Sequence, residues 1–590
     1  MDARVFQDGQ AESAAPGALA VAPAPRTRLG DPGLAVLTLL PLVLLAIDSD
    51  WIFSGPDRDA WIYYGYFENA VAYLRRFQEQ YYSSRPAMFL PGFLLHHLLP
   101  TVAANVALHL AVYWSAVLSF YLVVKDLFGS RVALLAGLAL GCHPYFLQAA
   151  GWNYVDGFGI AYFLIALLLL TWAAGSPSWR PLLLAAGTMA TAIVSTNVFY
   201  AVYLPLLAGH FLVFNRQRRR IPLLAAALWA GLGAAGLLAL LATIIWAAGG
   251  SSFYLRSSLQ FLAGTIGTQN PFRDPTYAWL LKAVWLVFPA VTLLGSAIVL
   301  GRARSDPSLR RDPALLWCQV QLVVLVLLTV YFQVFGDTGV LQHFFYSSLL
   351  IPVAFLAFAG QIVPLVAELP RRGFAVLVAA VALLQIVPLF VPAIESLSHK
   401  GAPFSAPALL ALVSGLGAAP AVWRRESRTR AILAVFLCLA VSQFLVRQGG
   451  RIFWQLERYG GDGRGMFSQV ARAVMAIEVF DPSHDVRLWY DYEAKDGEIY
   501  DAVASAFLLC PRMINLGFPN LPDTRMCDGA PLVPGVPIAI LSADPSAFEK
   551  ADKTLRGVGL SAHLLGREEI PGPSRGFTIT YLRSGAGTAP

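Results

Sequence analysis

The feature that most constrains this chain is the alternation of long uncharged apolar blocks with short clusters of Arg and Lys. Blocks such as Leu34–Ile47, Val132–Leu140 and Leu322–Val330 carry no charged side chain. A bilayer core about 30 Å thick is crossed by roughly 20 mostly apolar residues in a helix. Backbone groups in lipid must be satisfied within their own segment, so these blocks are expected to be helical. The whole chain is 57% hydrophobic and 13% charged, whereas soluble domains carry about 25% charge. The formal charge of +7 resides in the short basic clusters. They form no continuous patch with interleaved aromatics, so a nucleic-acid partner is excluded.

Basic residues in short loops mark the cytoplasmic side. Arg26 and Arg28 precede a first span at about 33–49, which therefore runs outward. A polar loop at about 50–86 lies outside. Spans at about 101–124, 132–148 and 158–174 follow, with Lys125, Arg131 and Arg180 on the inner side. Residues 181–214 read as two short spans turning outside near Ser195–Asn197. Further spans are bracketed by Arg216–Arg220, Arg302–Arg311, Arg371–Arg372 and Arg424–Arg430, with outer loops at 248–280, around Asp337 and His343, and at Glu395–Phe404. The count reaches about 13 transmembrane helices. The Ala- and Pro-rich residues 1–30 read as a disordered cytoplasmic tail. No apolar stretch with a small-residue cleavage site precedes the first span, so no cleaved signal peptide is expected.

The composition changes at 450–590, where Pro, Gly and Asp become common. Arg487–Tyr490, Ile538–Leu541 and Phe577–Tyr581 read as strands. Phe467–Val479 and Ala547–Leu555 read as helices. The expected fold is thus a polytopic α-helical membrane protein, residues 31–449, with a small extracytoplasmic α/β domain, residues 450–590. Cys510 and Cys527 in that domain are expected to pair as a disulfide in an oxidising compartment. Cys142, Cys318 and Cys438, in or beside spans, read as small apolar residues.

Gly231-Leu-Gly-Ala-Ala-Gly236 matches the dinucleotide fingerprint, but it sits mid-span with no preceding strand. Small residues at this spacing let membrane helices pack closely. The informative segment is the first outer loop, where Asp48, Asp50, Asp57 and Asp59 stand within a dozen residues. Asp59 is expected to cap a helix whose stripe Tyr63, Phe67, Val71, Leu74 and Phe77 lies in the membrane interface. The loop continues through Tyr81-Tyr82-Ser-Ser-Arg85-Pro86. The second outer loop carries His143-Pro144-Tyr145 and Asp156, and a later one carries Gln342-His343 beside Phe344-Phe345-Tyr346. Ionisable groups at membrane mouths are functional candidates by default. The plainer reading keeps each acid as a helix cap or a solvated residue. His96-His97 is not read as a metal site, because adjacent residues do not share a helix face.

An acid after the first span, an aromatic helix, a basic residue before Pro and an acid in the second outer loop together resemble the GT-C glycosyltransferase superfamily. In layout the chain is most similar to protein O-mannosyltransferases and to bacterial transferases that add aminoarabinose or galacturonic acid to lipid A. The resemblance implies a multi-pass protein of the bacterial inner membrane, with its N-terminus cytoplasmic and its C-terminal domain periplasmic. It implies transfer of a sugar from a polyprenyl-phosphate donor to a hydroxyl of a glycan, lipid or protein acceptor. The family's catalytic acid is similar in position to Asp59, with Asp57 as rival, and Ala60 stands where the commoner Asp-Glu pair has Glu. Arg85 resembles the donor-phosphate contact, with Arg58, Arg256 and Arg273 as weaker candidates; planar bidentate contacts suit Arg to phosphate. Asp156, His343, Tyr63, Tyr82 and Asn197 are candidate substrate contacts. One base acting on one face implies inversion at the anomeric carbon. No cofactor and no metal ligand are expected; Asp57-Arg-Asp59 spells a DxD, which leaves a divalent metal as the lesser alternative. The competing functions are a transporter or glycan flippase, for which no internal repeat is found, and a membrane-anchored binding protein.

Overall fold

The computed structural model describes residues 31–47, 49–53, 58–76, 80–265, 284–336, 340–341, 347–367, 369–386, 462–482, 486–491, 497–506, 513–515, 532–573 and 575–587. The expected N-terminal tail, the last two spans, Cys438, Cys510, Cys527, Asp57, Phe77, Arg273, Asp337 and the Gln342-His343 segment lie outside the described residues.

Helix α1 (Pro32–Ile47) is followed by α2 (Arg58–Arg76), α3 (Pro86–Leu98), α4 (Thr101–Phe128), α5 (Ser130–Gly141), α6 (Pro144–Gly151), α7 (Val155–Gly175), α8 (Trp179–Thr196), α9 (Tyr203–Arg218), α10 (Leu223–Ala247) and α11 (Arg256–Thr265). Then come α12 (Val287–Arg302), α13 (Pro313–Val334), α14 (Ser347–Ala367) and α15 (Arg371–Ile386). Among the described residues six helical segments are long and apolar enough to cross a bilayer, in α4, α7, α9, α10, α13 and α14; α5 and α6, bent by 69° at their junction, make a seventh if counted as one span. The expected straight span at 132–148 is therefore broken: α5 ends at Gly141, and Pro144 stands at the start of α6, where its missing N–H leaves no helical bond unmade. The helix α3 was not expected from the sequence, although Pro86 at its first position marks its start.

Exposure follows the lipid logic. Leu224 on α10 is 85% exposed, and Leu228, Leu232, Leu238 and Leu240 are exposed with it, whereas most of α14 is buried at the centre. An apolar ridge of that extent belongs against lipid, not water. Gly233 permits α10 to touch α8: a Cβ there would overlap the Leu184 carbonyl, and one at Gly187 would overlap that of Ala230. Gly231 and Gly236 face open space, so only one glycine of the false fingerprint serves helix packing. Lys125 pairs with Asp31 at 2.5 Å, Arg218 with Asp126 at 2.8 Å, and Arg131 donates to the Leu369 carbonyl at 2.7 Å. The charged ends of α1, α4, α5 and α9 and the chain just before α15 thus gather on one side of the bundle.

The C-terminal residues form α16 (Gly463–Phe480), α17 (Gly497–Ala506), α18 (Ala547–Arg556) and strands β1 (Arg487–Asp491), β2 (Met513–Asn515), β3 (Pro537–Ser542), β4 (Leu560–Ile570) and β5 (Phe577–Ala586). The sheet order is β2-β1-β3-β5-β4, parallel across β2, β1 and β3 and antiparallel thereafter. Side chains alternate between faces along a strand. Ile538 and Ile540 of β3 accordingly join Ala551 and Leu555 of α18 in one cluster, while Ala539 and Leu541 join the cluster shared with α16, α17 and the bundle.

This unit rests on α2. Tyr73 donates to the Ala506 carbonyl, and Phe467 of α16 meets Phe53, Trp61 and Tyr64 at ring distances of 5.4, 6.0 and 5.3 Å. The expectation of an interfacial α2 is corrected here: Tyr63, Tyr64, Tyr66 and Phe67 are all buried in protein contacts. Glu68 bonds His96 at 2.9 Å and Thr101 at 3.3 Å. Burial raises the Glu68 carboxyl, but these bonds and the His96 charge outweigh it and lower it overall. Burial, then the nearby Glu68 charge, push Glu478 of α16 up to about 7.

A group raised in the folded state from 4.5 binds its proton more tightly there, so its stabilising contribution is complete below about pH 4.5 and is lost as pH rises through about 7. The lowered Glu68 acts oppositely, and only at more acid pH. Thermal stability of the wild type should therefore fall between pH 4.5 and 7, whereas Glu478→Gln should flatten that slope and gain on the order of 1–3 kcal/mol above pH 7. Parallel melting curves for the two proteins would refute this.

Candidate active site

Helix α2 begins at Arg58, so Asp59 sits in its first turn and not at the expected cap position. Its carboxylate is held from the chain segment 22 residues on: Tyr82 donates to Oδ1 at 2.7 Å and Tyr81 to Oδ2 at 3.1 Å. Tyr81 and Tyr82 lie in a 3-10 turn (Tyr81–Ser84) that leads into α3. Burial raises the phenols of Tyr63, Tyr81 and Tyr82, so they remain hydrogen-bond donors at neutral pH. A carboxylate offers about four lone-pair sites, so Asp59 retains acceptor capacity beyond these two bonds.

Arg85 ends the turn and is 5% exposed. It donates to the Tyr63 hydroxyl, one helical turn from Asp59 on α2. Its guanidinium lies 4.7 Å from the Tyr81 ring centre, 5.6 Å from that of Tyr63 and 5.8 Å from that of Tyr154. Among the described residues no carboxylate comes within salt-bridge distance of it, and its Nε has no partner. An arginine stays charged even when buried, and a buried charge without a counterion is costly. Arg85 thus keeps an unpaired hydrogen-bonding edge inside a buried tyrosine cage, with Asp59 near enough to act on it electrostatically but not to pair with it. Helix α11 backs it: Ser258 bonds Ser84, Ser257 donates to the Gln80 carbonyl at 3.3 Å, and Phe261 stacks on Tyr81 at 4.9 Å.

Asp156 enters from the first turn of α7 and is 2% exposed. Tyr200 donates to it at 2.7 Å and Ser348 at 3.1 Å. The Tyr63 hydroxyl feels the charges of Arg85, Asp59 and Asp156 together. Two carboxylates and one cation from three separate segments thus converge on one phenol.

The other candidates are distributed differently. Tyr63 and Tyr82 contact Arg85 and Asp59 themselves. Asn197 caps the 3-10 turn Val198–Val202, its Oδ1 accepting from the Phe199 amide at 3.1 Å. Arg256 is exposed at the start of α11. The side chain of Arg58 lies outside the described residues, as do Asp57 and His343. Sequence reading missed Tyr81, Tyr154, Tyr200 and Ser348. Tyr81 and Tyr154 had a local signal, being aromatics beside ionisable groups; Tyr200 and Ser348 had none. Among the described residues no group of three or more His, Cys, Asp and Glu side chains could hold a metal ion.

Fold and site define a multi-helix membrane protein with a buried, aromatic-caged arginine that Asp59 and Asp156 feel electrostatically without pairing with it. Residues 100–246 match the family model of dolichyl-phosphate-mannose-protein mannosyltransferases; this match supports the resemblance to the GT-C glycosyltransferase superfamily. The matched segment, about a quarter of the chain, includes Asp156 but not Asp59 or Arg85. Among solved structures the chain is similar to ArnT from Cupriavidus metallidurans in the apo state, at 16% identity and a TM-score of 0.44, covering 94% of this chain and 98% of that one. The same protein bound to undecaprenyl phosphate gives 15% identity, a TM-score of 0.46 and coverage of 93% and 98%. The apo oligosaccharyltransferase of Archaeoglobus fulgidus gives 14%, a TM-score of 0.42 and coverage of 82% and 64%. No curated protein matches the chain.

Proposed function

We propose that the chain is an inverting glycosyltransferase that moves a sugar from a polyprenyl-phosphate carrier to an acceptor hydroxyl. The observation that carries this reading is the buried Arg85 guanidinium, caged by Tyr63, Tyr81 and Tyr154 and unmatched by any described carboxylate. In the proposed reaction the acceptor oxygen attacks the anomeric carbon as the bond to the phosphate oxygen breaks. The departing phosphate takes the electron pair and is stabilised by Arg85. The acceptor proton passes to Asp59, which Tyr81 and Tyr82 aim. Asp156, fixed by Tyr200 and Ser348, orients the acceptor or supports the cation. No step calls for a cofactor or metal.

The proposal places the site on the periplasmic face of the bacterial inner membrane, where nucleotide sugars are absent and a flipped lipid carrier supplies the sugar. Residues 450–590 lie on that same side, and the membrane domain spans 31–449. Transfer from radiolabelled polyprenyl-phosphate sugars tests the reading. Asp59→Asn should lower the rate by about 10²–10⁴-fold, the range of general base catalysis, and the product should carry the opposite anomeric configuration to the donor. Full activity in both Asp59→Asn and Asp57→Asn, or a retained anomer, would overturn the assignment.

A further inference from the structure

Helix α14 carries a proline at position 352, inside its second turn. Proline has no N–H, so the carbonyl four residues back receives no helical bond. That carbonyl belongs to Ser348, which is fully buried, and a buried carbonyl without a donor is costly. Tyr203, the first residue of α9, supplies the donor. Its hydroxyl lies 2.8 Å from the Ser348 carbonyl oxygen and 3.0 Å from that of Leu349. The ring that carries this hydroxyl is itself buried. It stacks on Phe163 of α7 at 4.1 Å and lies nearly parallel to Tyr200 at 5.9 Å. The first turn of α14 is thus tied to α7 and α9 through one phenol.

The same turn presents its side chain to Asp156. Ser348 Oγ donates to Oδ1 at 3.1 Å, Tyr200 donates to that oxygen at 2.7 Å, and the two hydroxyls lie 3.1 Å apart. A carboxylate oxygen has two lone-pair sites, so Oδ1 is occupied twice. Oδ2 has no partner among the described residues, although it is buried with the rest of the side chain. One oxygen is held and the other is left to accept. Asp156 also feels the charge of Arg85, which places its free oxygen on the side of the reaction. Tyr203 donates to backbone, not to this carboxylate, so any effect it has on Asp156 passes through Ser348.

We propose that Tyr203 is a positioning residue: by filling the bond that Pro352 leaves open, it sets Ser348 against Asp156 and so aims Oδ2 at the acceptor hydroxyl. The proposal rests on the transferase reading and adds to it a residue that touches neither substrate nor carboxylate.

The test uses the purified full-length protein. Tyr203→Phe keeps the ring stack and removes only the hydroxyl. It should lower kcat for sugar transfer about tenfold, the scale of one hydrogen bond. Affinity for polyprenyl phosphate should stay at the wild-type value, because Tyr203 is no part of the Arg85 cage. Ser348→Ala should cause a similar loss, and adding Tyr203→Phe to it should cost little more, since coupled residues are not additive. Pro352→Ala returns an N–H to the Ser348 carbonyl; in that background Tyr203→Phe should keep both its melting temperature and its kcat. A second readout needs no turnover. The carboxyl band of Asp156, isolated as the infrared difference between wild type and Asp156→Asn, should shift in Tyr203→Phe. Wild-type kcat in Tyr203→Phe, additive losses with Ser348→Ala, an undiminished loss in the Pro352→Ala background or an unshifted band would each overturn the role. Should the wild type transfer no sugar at all, the transferase reading falls, and the infrared band still decides whether Tyr203 sets Asp156.

Discussion

Arg85→Ala is expected to lower sugar transfer by about 10³-fold or more, the scale on which a single arginine stabilises phosphoryl charge in a reacting complex. The expectation follows from burial. At 5% exposure the guanidinium is shielded from bulk water, so its attraction for a phosphate is far stronger than on a surface. The tyrosine cage holds it in place before substrate arrives, so little reorganisation is required during the reaction. Arg85→Lys should recover only part of the loss, because an ammonium keeps the charge but loses the planar fork. Fold stability separates this reading from a structural one. Removing an uncompensated buried charge is neutral or stabilising when packing is kept. Arg85→Met, which removes the charge and keeps most of the volume against the tyrosine rings, should therefore lose transfer without losing its melting temperature, and a variant that melts early while retaining transfer per folded molecule would contradict the role.

The second large effect concerns Gly65, at the contact between α2 and the C-terminal unit. A Cβ on Gly65 would overlap the Ala506 carbonyl, a backbone atom that cannot rotate away. Gly65→Ala should cost about 1–3 kcal/mol, as overpacking of a close contact does. It should also break the Tyr73 bond to the same carbonyl and loosen α17 from α2. Hydrogen exchange at 497–506 should then accelerate. Gly231→Ala, facing open space, is the control and should stay within about 0.5 kcal/mol of wild type. Equal exchange in both variants would show that α17 does not depend on this approach.

The bundle was legible because hydropathy and basic clusters are local signals that survive in one dimension. The positions expected for spans at 101–124 and 158–174 coincide with α4 and α7, and α10 and α13 lie among the spans expected between the basic clusters Arg216–Arg220, Arg302–Arg311 and Arg371–Arg372. The turn near Ser195–Asn197 falls between α8 and α9 for the same reason. The break between α5 and α6 was signalled by Pro144 but hidden by the apolar run around it. Of the site, Arg85 was legible from the Arg-Pro step, and Asp59 from its place after the first span. The Tyr81 and Tyr82 bonds to Asp59, the Tyr200 and Ser348 bonds to Asp156 and the approach of Glu478 to Glu68 depend on tertiary contacts between segments 22, 44, 192 and about 400 residues apart. No periodicity encodes these. The aromatic stripe of α2 misled for a physical reason: burial against protein and burial in an interface demand the same residues.

The most direct test of the central claim is the affinity of the purified protein for polyprenyl phosphate, measured for wild type and Arg85→Ala at equal lipid content. Arg85 as the phosphate receptor requires saturable binding by the wild type, lost by about 10²-fold or more when this buried charge partner is removed. Equal affinity in the two proteins would contradict it.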